Sequence, residues 1–247
     1  MEALILAAGY ATRLYPLTRD TPKALLPIGK KCMLSFILEG LKTIPSLEKV
    51  YIVTNDRFTA QFEAWVESAD ISPLTVEVIN DGTKGNEDRL GALGDVQFAL
   101  ENAQIDDDLL VMASDNFFTF PLSDFVDAFH RTGKDTLLAG HIYDTEELRR
   151  FAVAVLDEEG TVKELVEKPK EPKTTIAIYA MYCYRRDTLP LFKQYIDEGN
   201  PADSPGFFPQ WLHKRKEVKV WLFRGDCVDI GTHETYRAVC EKYGGEA

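Results

Sequence analysis

Long apolar runs are missing from this chain of 247 residues. No stretch approaches the roughly 18 residues of a spanning helix, and no secretory leader precedes the first apolar segment, so a cytoplasmic location and no membrane partner are expected. Basic charge is short as well: 28 Lys and Arg face 40 Asp and Glu, a net −12 that argues against a nucleic-acid surface. Cysteine is sparse. Cys32, Cys183, Cys227 and Cys240 include no C-x-x-C pair and no histidine at finger-like spacing, so each reads as a small apolar filler in a reducing compartment. The four histidines show no metal spacing, and none is assigned to catalysis. A P-loop, a dinucleotide fingerprint and a Gly-x-Ser-x-Gly elbow are all lacking. With no Pro/Gly/Ser-rich linker and no repeat, residues 1–247 read as one α/β domain. The hydrophobic content of 45% suffices for a sizeable core.

What is present concentrates near the start, in ALILAAGYATRLYPLTRDTPKALLPIGK (3–30). Ala3 to Ala8 suits one buried strand, which runs into Gly9, Thr12, Arg13, Thr18, Arg19 and Lys23. A small-residue turn rich in hydroxyls and cations suits a phosphorylated ligand, because glycine permits close backbone approach and Arg and Lys balance charge. Pro16 and Pro22 forbid a long helix there, so the basic residues are expected on an extended loop. Residues 1–31 carry five basic and two acidic side chains, a local excess against the acidic whole. An ordinary solvated surface loop is the alternative for any one of these residues.

Farther on, the spacing predicts helices over Met33–Thr43, Phe58–Val66 and Leu90–Asn102, and strands over Lys49–Thr54, Leu74–Asn80 and Leu109–Ala113. This alternation implies right-handed crossovers and a mostly parallel sheet flanked by helices, with ligands beyond the strands' carboxyl ends. After a helix near Phe125–Arg131 come strands at Thr136–Tyr143, Phe151–Asp157 and Thr161–Glu167, the last two joined by a hairpin turn at Glu158-Glu159-Gly160. A strand at Thr174–Tyr184, helices near Thr188–Ile196 and Phe207–Lys214, a last strand at Val218–Phe223 and a helix at His233–Tyr243 complete the reading.

Chemistry is suggested at several strand ends. Asn80–Asp95 holds four glycines and could present amides to a flat base, though alone it reads as a loop. Asp115 and Asp229 each follow a strand, where a carboxylate can hold Mg²⁺ or serve as a turn residue. Lys168, in Glu167-Lys168-Pro169, could meet a phosphate, but Lys-rich strand exits usually face solvent.

LAAGYATRLYPLTRDTPKALLPI resembles the signature of the sugar-1-phosphate nucleotidyltransferases. The similarity continues through LGALGD (90–95), SDNF (114–117), VEKP (166–169), AMYCYRRDTL (180–189) and VDIGTHETY (228–236). The resemblance implies a Rossmann-like nucleotidyltransferase fold with a mixed central sheet. It further implies a nucleotide-binding half of about 1–120, a sugar-phosphate-binding half of about 121–247, and NTP and sugar 1-phosphate as substrates. By position it implies Leu6, Ala8, Gly9, Thr12, Asn80 and Gly91 around the nucleotide. Arg13 would steady the departing pyrophosphate, and Lys23 would touch both reacting phosphates. Mg²⁺ would lie on Asp115 and Asp229, and the sugar phosphate on Asp115, Glu167, Lys168 and Ala180. A homo-oligomer is frequent in such proteins.

Four positions depart from the family's habit: Ala11, Ser114 and Ala180 stand where glycine is common, and Cys227 where an aromatic is. No hexapeptide repeat is present, so an added acyltransferase domain is not expected. Transfer from dTTP or UTP to glucose 1-phosphate is the leading expectation. A cytidylyltransferase acting on a polyol or choline phosphate and a non-catalytic nucleotide-sugar binder are the alternatives. A glycosyltransferase would carry Asp-x-Asp, whose first Asp Ser114-Asp115-Asn116 lacks.

Overall fold

The apolar run at the start forms strand β1 (Glu2–Leu6), and its inner residues Ala3, Leu4 and Ile5 are fully buried. In chain order there follow β2 (Pro27–Ile28), β3 (Lys31–Cys32), α1 (Met33–Leu41), β4 (Lys49–Thr54), α2 (Thr59–Ser68), β5 (Thr75–Asn80), α3 (Ala92–Asn102), β6 (Leu109–Ala113), β7 (Asn116–Phe118), α4 (Leu122–Thr132), β8 (Asp135–His141), α5 (Thr145–Leu148), β9 (Ala152–Leu156), β10 (Val162–Glu167), β11 (Ile176–Tyr184), α6 (Pro190–Asp197), α7 (Phe207–Leu212), β12 (Val218–Leu222), β13 (Cys227–Asp229) and α8 (His233–Tyr243). This computed structural model describes residues Met1–Gly245. None of the described helices is long and apolar enough to cross a membrane. The contacts gather into two compact units: Met1–Arg89 with Ala113–Ser123 and the segment from Gly225 onward, and Leu90–Met112 with Asp124–Arg224.

In the first unit β4 lies parallel between β1 and β5, with Leu6 opposite Val53 and Thr54 opposite Asn80. Burial on both faces explains why β1 and β4 read as continuous apolar runs, whereas TVEVIN of β5 alternates. Helix α1 buries Met33, Leu34, Ile37, Leu38 and Leu41, the stripe its spacing predicts. The expected extended loop is more ordered than the prolines suggest. It makes two 3-10 turns, Thr12–Leu14 and Lys23–Leu25, and the β2–β3 hairpin. Proline bars a long helix but is tolerated as the cap of a single turn, where Pro22 stands.

Val218–Phe223 is not the last strand. Cys227–Asp229 adds a further one, antiparallel to β7, with Asp229 opposite Asn116 and Cys227 opposite Phe118. Three residues show no period, so only the pairing partner defines such a strand.

The second unit pairs β11 antiparallel with β6, β8 and β9, hairpins β9 to β10, and lays β12 parallel to β8. Gly160 takes a positive φ in the expected hairpin turn. Tyr184 of β11, Phe192 and Tyr195 of α6 and Phe208 and Trp211 of α7 form an aromatic core, with Phe192 and Phe208 stacked at 3.7 Å. The fold is therefore mixed α/β, Rossmann-like in its parallel strands and flanking helices, with the antiparallel pairing concentrated in the second unit.

Candidate phosphate and cation site

Three parallel strands of the first unit end together, and the loops after them are tied to one another. Ala7 donates to the Val53 carbonyl at 2.8 Å, prolonging the ladder past β1. Asn55, fully buried, donates to the Ala8 carbonyl at 2.8 Å and accepts from the Phe58 amide at the entry to α2. Asn80 donates to Asp56 at 2.9 Å and accepts from the Gly82 amide, and Asp56 N reaches the Thr83 carbonyl at 3.0 Å. Buried Tyr10 meets Thr83 Oγ1 at 3.4 Å, and burial raises the Tyr10 phenol above its usual range. Ligands of parallel sheets bind at such strand ends.

Gly9 differs from the glycines that a turn or close packing requires. Its φ is not positive, and a Cβ there would meet nothing within 4 Å. Neither backbone conformation nor protein packing asks for glycine, whereas close approach of a ligand would. Two residues on, Ala11 takes the left-handed conformation, φ 46°, a strain of about 1–2 kcal/mol that glycine avoids. Its carbonyl accepts from Leu14 N at 2.9 Å and from Thr18 Oγ1 at 2.8 Å, with Leu14 and Thr18 both buried. These bonds close the turn that carries Thr12 and Arg13. Both are exposed, and Arg13 makes no hydrogen bond or ion pair among the described residues.

Lys23 opens the second 3-10 turn and donates from Nζ to Asp115 Oδ2 at 2.8 Å. Its side chain is only 12% exposed, against 32% for Asp115. Asp115 occupies the tight turn between β6 and β7, and the Ser114 amide anchors that turn to the Leu6 carbonyl at 3.1 Å. The Asp115 carbonyl in turn accepts from Ile230 N at 2.9 Å, beside Asp229 on β13. Residues remote in sequence thus bring two carboxylates to adjacent backbone positions. The Cys227 thiol senses both: burial first, then Asp229 and Asp115, push its pKa well up.

No cluster of three or more metal-type side chains occurs among the described residues. Hard divalent cations take carboxylate oxygens, and two carboxylates at neighbouring backbone positions are donors of that kind.

In the second unit the loop after α6 gathers three of the predicted residues. Gly91, φ 81°, lies against it so closely that a Cβ would come within 2.6 Å of the Ala202 carbonyl oxygen and 2.8 Å of Asp203 Cα. Leu93 N bonds the same carbonyl at 2.9 Å. Ser204, two residues on, donates to Glu167 Oε1 and accepts from Lys168 Nζ at 3.1 Å. Lys168 adopts φ 48° directly before Pro169. Glu167, Ala152 and Ile178 stand in one row across β10, β9 and β11, and Ala180 follows in the irregular part of β11. Among the expected nucleotide-side residues, Gly91 alone belongs to this unit; Asp115 lies in the other. Asn55 and Ser204 escaped sequence reasoning. Of these only Asn55 had a signal, a cap-type residue between a strand and a helix.

Burial raises the Glu167 carboxyl above the usual range, while Ser204 and Lys168 pull it down. The folded state therefore holds this proton more tightly than the unfolded chain. The stabilisation is complete below the unfolded pKa, about 4.3, and is lost as pH rises through the folded value. Glu167→Gln should accordingly melt higher than the wild type at pH 7, with the difference vanishing near pH 4 in paired thermal melts. The ion pair with Lys168, which is 53% exposed, contributes little to offset this.

The chain is 27% identical over 184 residues to the UTP–glucose-1-phosphate uridylyltransferase AglF of Haloferax volcanii, covering 74% of this chain and 72% of that protein. It is 26% identical over 245 residues to the glucose-1-phosphate adenylyltransferase of Geobacillus stearothermophilus, covering 93% of this chain but only 62% of that protein's length. The solved structure of a UDP-glucose pyrophosphorylase with UDP-glucose superposes with a TM-score of 0.84 at 19% identity, covering 100% of this chain and 99% of the other, which shows a shared fold. Residues 2–245 match the pattern of the nucleotidyl transferase family, and the chain belongs to that family.

Proposed function

We propose that this chain transfers a nucleotidyl group from an NTP to a sugar 1-phosphate, with UTP or dTTP and glucose 1-phosphate as the favoured pair. An ionised oxygen of the sugar phosphate attacks the α-phosphorus; the bond from that phosphorus to the bridging oxygen breaks, and pyrophosphate leaves with the electron pair. The attacking oxygen is already deprotonated at neutral pH, so no general base is needed, in keeping with a site without an assigned histidine. The difficulty is the approach of two anions, which the protein must neutralise and align.

The observation that carries this reading is the Lys23–Asp115 pair, formed beside Asp229 in the unit that also holds the unpaired Arg13. Lys23 supplies positive charge to the α-phosphate and the acceptor phosphate, and Arg13 to the pyrophosphate. A divalent cation, Mg²⁺ in this reading, would be held by Asp115 and Asp229 and would supply further positive charge to the NTP phosphates. Gly9 leaves room for the nucleotide over the Ala8–Gly9 backbone. Glu167, Lys168 and Ala180 bind the acceptor.

A second reading keeps the same chemistry but takes another phosphorylated alcohol, a polyol or choline phosphate, as acceptor, with Ala180 beside the row of Glu167, Ala152 and Ile178 where a sugar-binding glycine is expected. Pyrophosphate release measured with Mg²⁺, each NTP and a panel of sugar, polyol and choline phosphates separates the two. Release that requires both an NTP and a sugar 1-phosphate is expected. Release only with CTP and a polyol or choline phosphate selects the second reading, and release with no pair refutes both.

A further inference from the structure

The segment from Gly9 to Lys31 has little regular structure of its own, and much of its order comes from contacts with other elements. Helix α2 and the turn before it hold one part: Arg57, in that turn, donates to the Arg19 carbonyl, and Gln61 Nε2 of α2 to the Asp20 carbonyl at 3.0 Å. Helix α8 holds other parts through residues spaced along one face. His233 Nε2 lies 2.8 Å from the Tyr15 carbonyl oxygen. Tyr236 donates its hydroxyl to the Pro27 carbonyl at 2.5 Å, and Cys240 Sγ lies 3.6 Å from the same oxygen. Gly29, φ 65°, abuts Gly244 so closely that a Cβ would strike its carbonyl. Ile28 shares an apolar cluster with Ile230 and Val239.

His233 is the one α8 residue that bonds the basic part of this segment among the described residues. It grips a particular place. Tyr15 closes the 3-10 turn that bears Arg13, its amide bonded to the Thr12 carbonyl at 3.2 Å. The ring is itself well placed to hold something still. Thr232 and Thr235 cap α8 reciprocally, and fully buried Ile230 bonds the Asp115 carbonyl, so both ends of Asp229–His233 are fixed. Since a carbonyl only accepts, Nε2 carries the proton of this bond.

We propose that His233 is a positioning residue for the transfer reaction: its bond to Tyr15 registers the Arg13 turn against the carboxylate strand four residues upstream, setting where Arg13 meets the departing pyrophosphate. This rests on the function proposed above. His233→Leu removes the donor and keeps bulk, whereas His233→Gln keeps an Nε2 donor at similar reach.

For His233→Leu the expected result is a fall of about tenfold to a hundredfold in kcat/KM for the NTP, as misplacement of a reacting group entails. KM for the acceptor and the melting temperature should hold, and His233→Gln should recover most of the loss. In ligand-free protein, trypsin should cut after Arg13 faster in His233→Leu than in wild type or His233→Gln, with no change at Arg19, whose carbonyl Arg57 holds. Unchanged NTP kinetics and unchanged cleavage at Arg13 would overturn the proposal. So would a uniform loss of stability and of both substrates' KM, which marks a merely structural residue. A wild-type protein without transferase activity would instead sink the functional reading, while the cleavage pattern still decides whether His233 anchors the turn.

Discussion

Lys23→Ala should lower the rate of nucleotidyl transfer about 10²–10³-fold, the loss typical of removing one group that stabilises developing charge. Lys23 is the cation already in place, its ammonium 2.8 Å from Asp115 and largely shielded from solvent. In the proposed function its charge serves the phosphates once substrates bind, and no other side chain among the described residues makes an ion pair with Asp115 to replace it. The same substitution should have an opposite effect on metal binding. Without the ammonium, the Asp115 carboxylate loses its competitor, so Mn²⁺ alone should bind several-fold more tightly in a direct titration. Folding should change little, by about 1 kcal/mol or less, because Asp115 is a third exposed and such pairs are weak. Steady-state pyrophosphate release, paired with the titration, checks both halves. Activity within tenfold of the wild type would remove Lys23 from the mechanism, and weaker Mn²⁺ binding would show that the pair does not compete with a cation.

Gly91→Ala carries the largest expected effect on stability, about 3 kcal/mol. Its φ of 81° with ψ of 162° lies in a region almost reserved for glycine and alone costs an L side chain about 1–3 kcal/mol, and overpacking adds about 1–3. The obstruction is the Ala202 carbonyl and the Asp203 backbone, neither of which can swing aside as a side-chain end would. For a chain of this size the melting temperature should drop by roughly 6–12 °C. Activity should fall as well, because the displaced loop carries Ser204, which bonds both Glu167 and Lys168. Gly133→Ala is the control: its φ of 62° is also positive but its surroundings are open, so only a conformational cost of about 1–2 kcal/mol remains. Equal melting temperatures for the two variants would mean that the close approach at Ala202 contributes nothing.

Gly9 and Gly91 mark the limit of sequence reading here. Both stand in segments that resemble nucleotide-binding motifs, yet one is required by packing within the protein and the other by nothing in the protein at all. A letter in the sequence does not distinguish a glycine spared for a ligand from one pressed against a carbonyl. His233 is a similar case: histidine spacing pointed to no metal and no catalysis, and its role as an anchor depends on a carbonyl 218 residues away in the chain.

Local physics suffices for what the sequence alone determined. Apolar runs such as ALIL and KVYIVT suit short buried strands, the 3.6-residue stripe of Met33–Leu41 an amphipathic helix, and Glu158-Glu159-Gly160 a turn, and each forms as read. Prolines and clustered cations likewise set the character of the loop after β1. Tertiary structure alone decided that Asp115 and Asp229 become neighbours, since the three-residue strands that join them exist only through each other's hydrogen bonds. It also decided that Lys23 meets Asp115, that Asn55 holds Ala8 and that α8 clamps the loop. The physical reason is common to all four: each depends on a contact between residues far apart along the chain, and periodicity and propensity carry information only over a few turns.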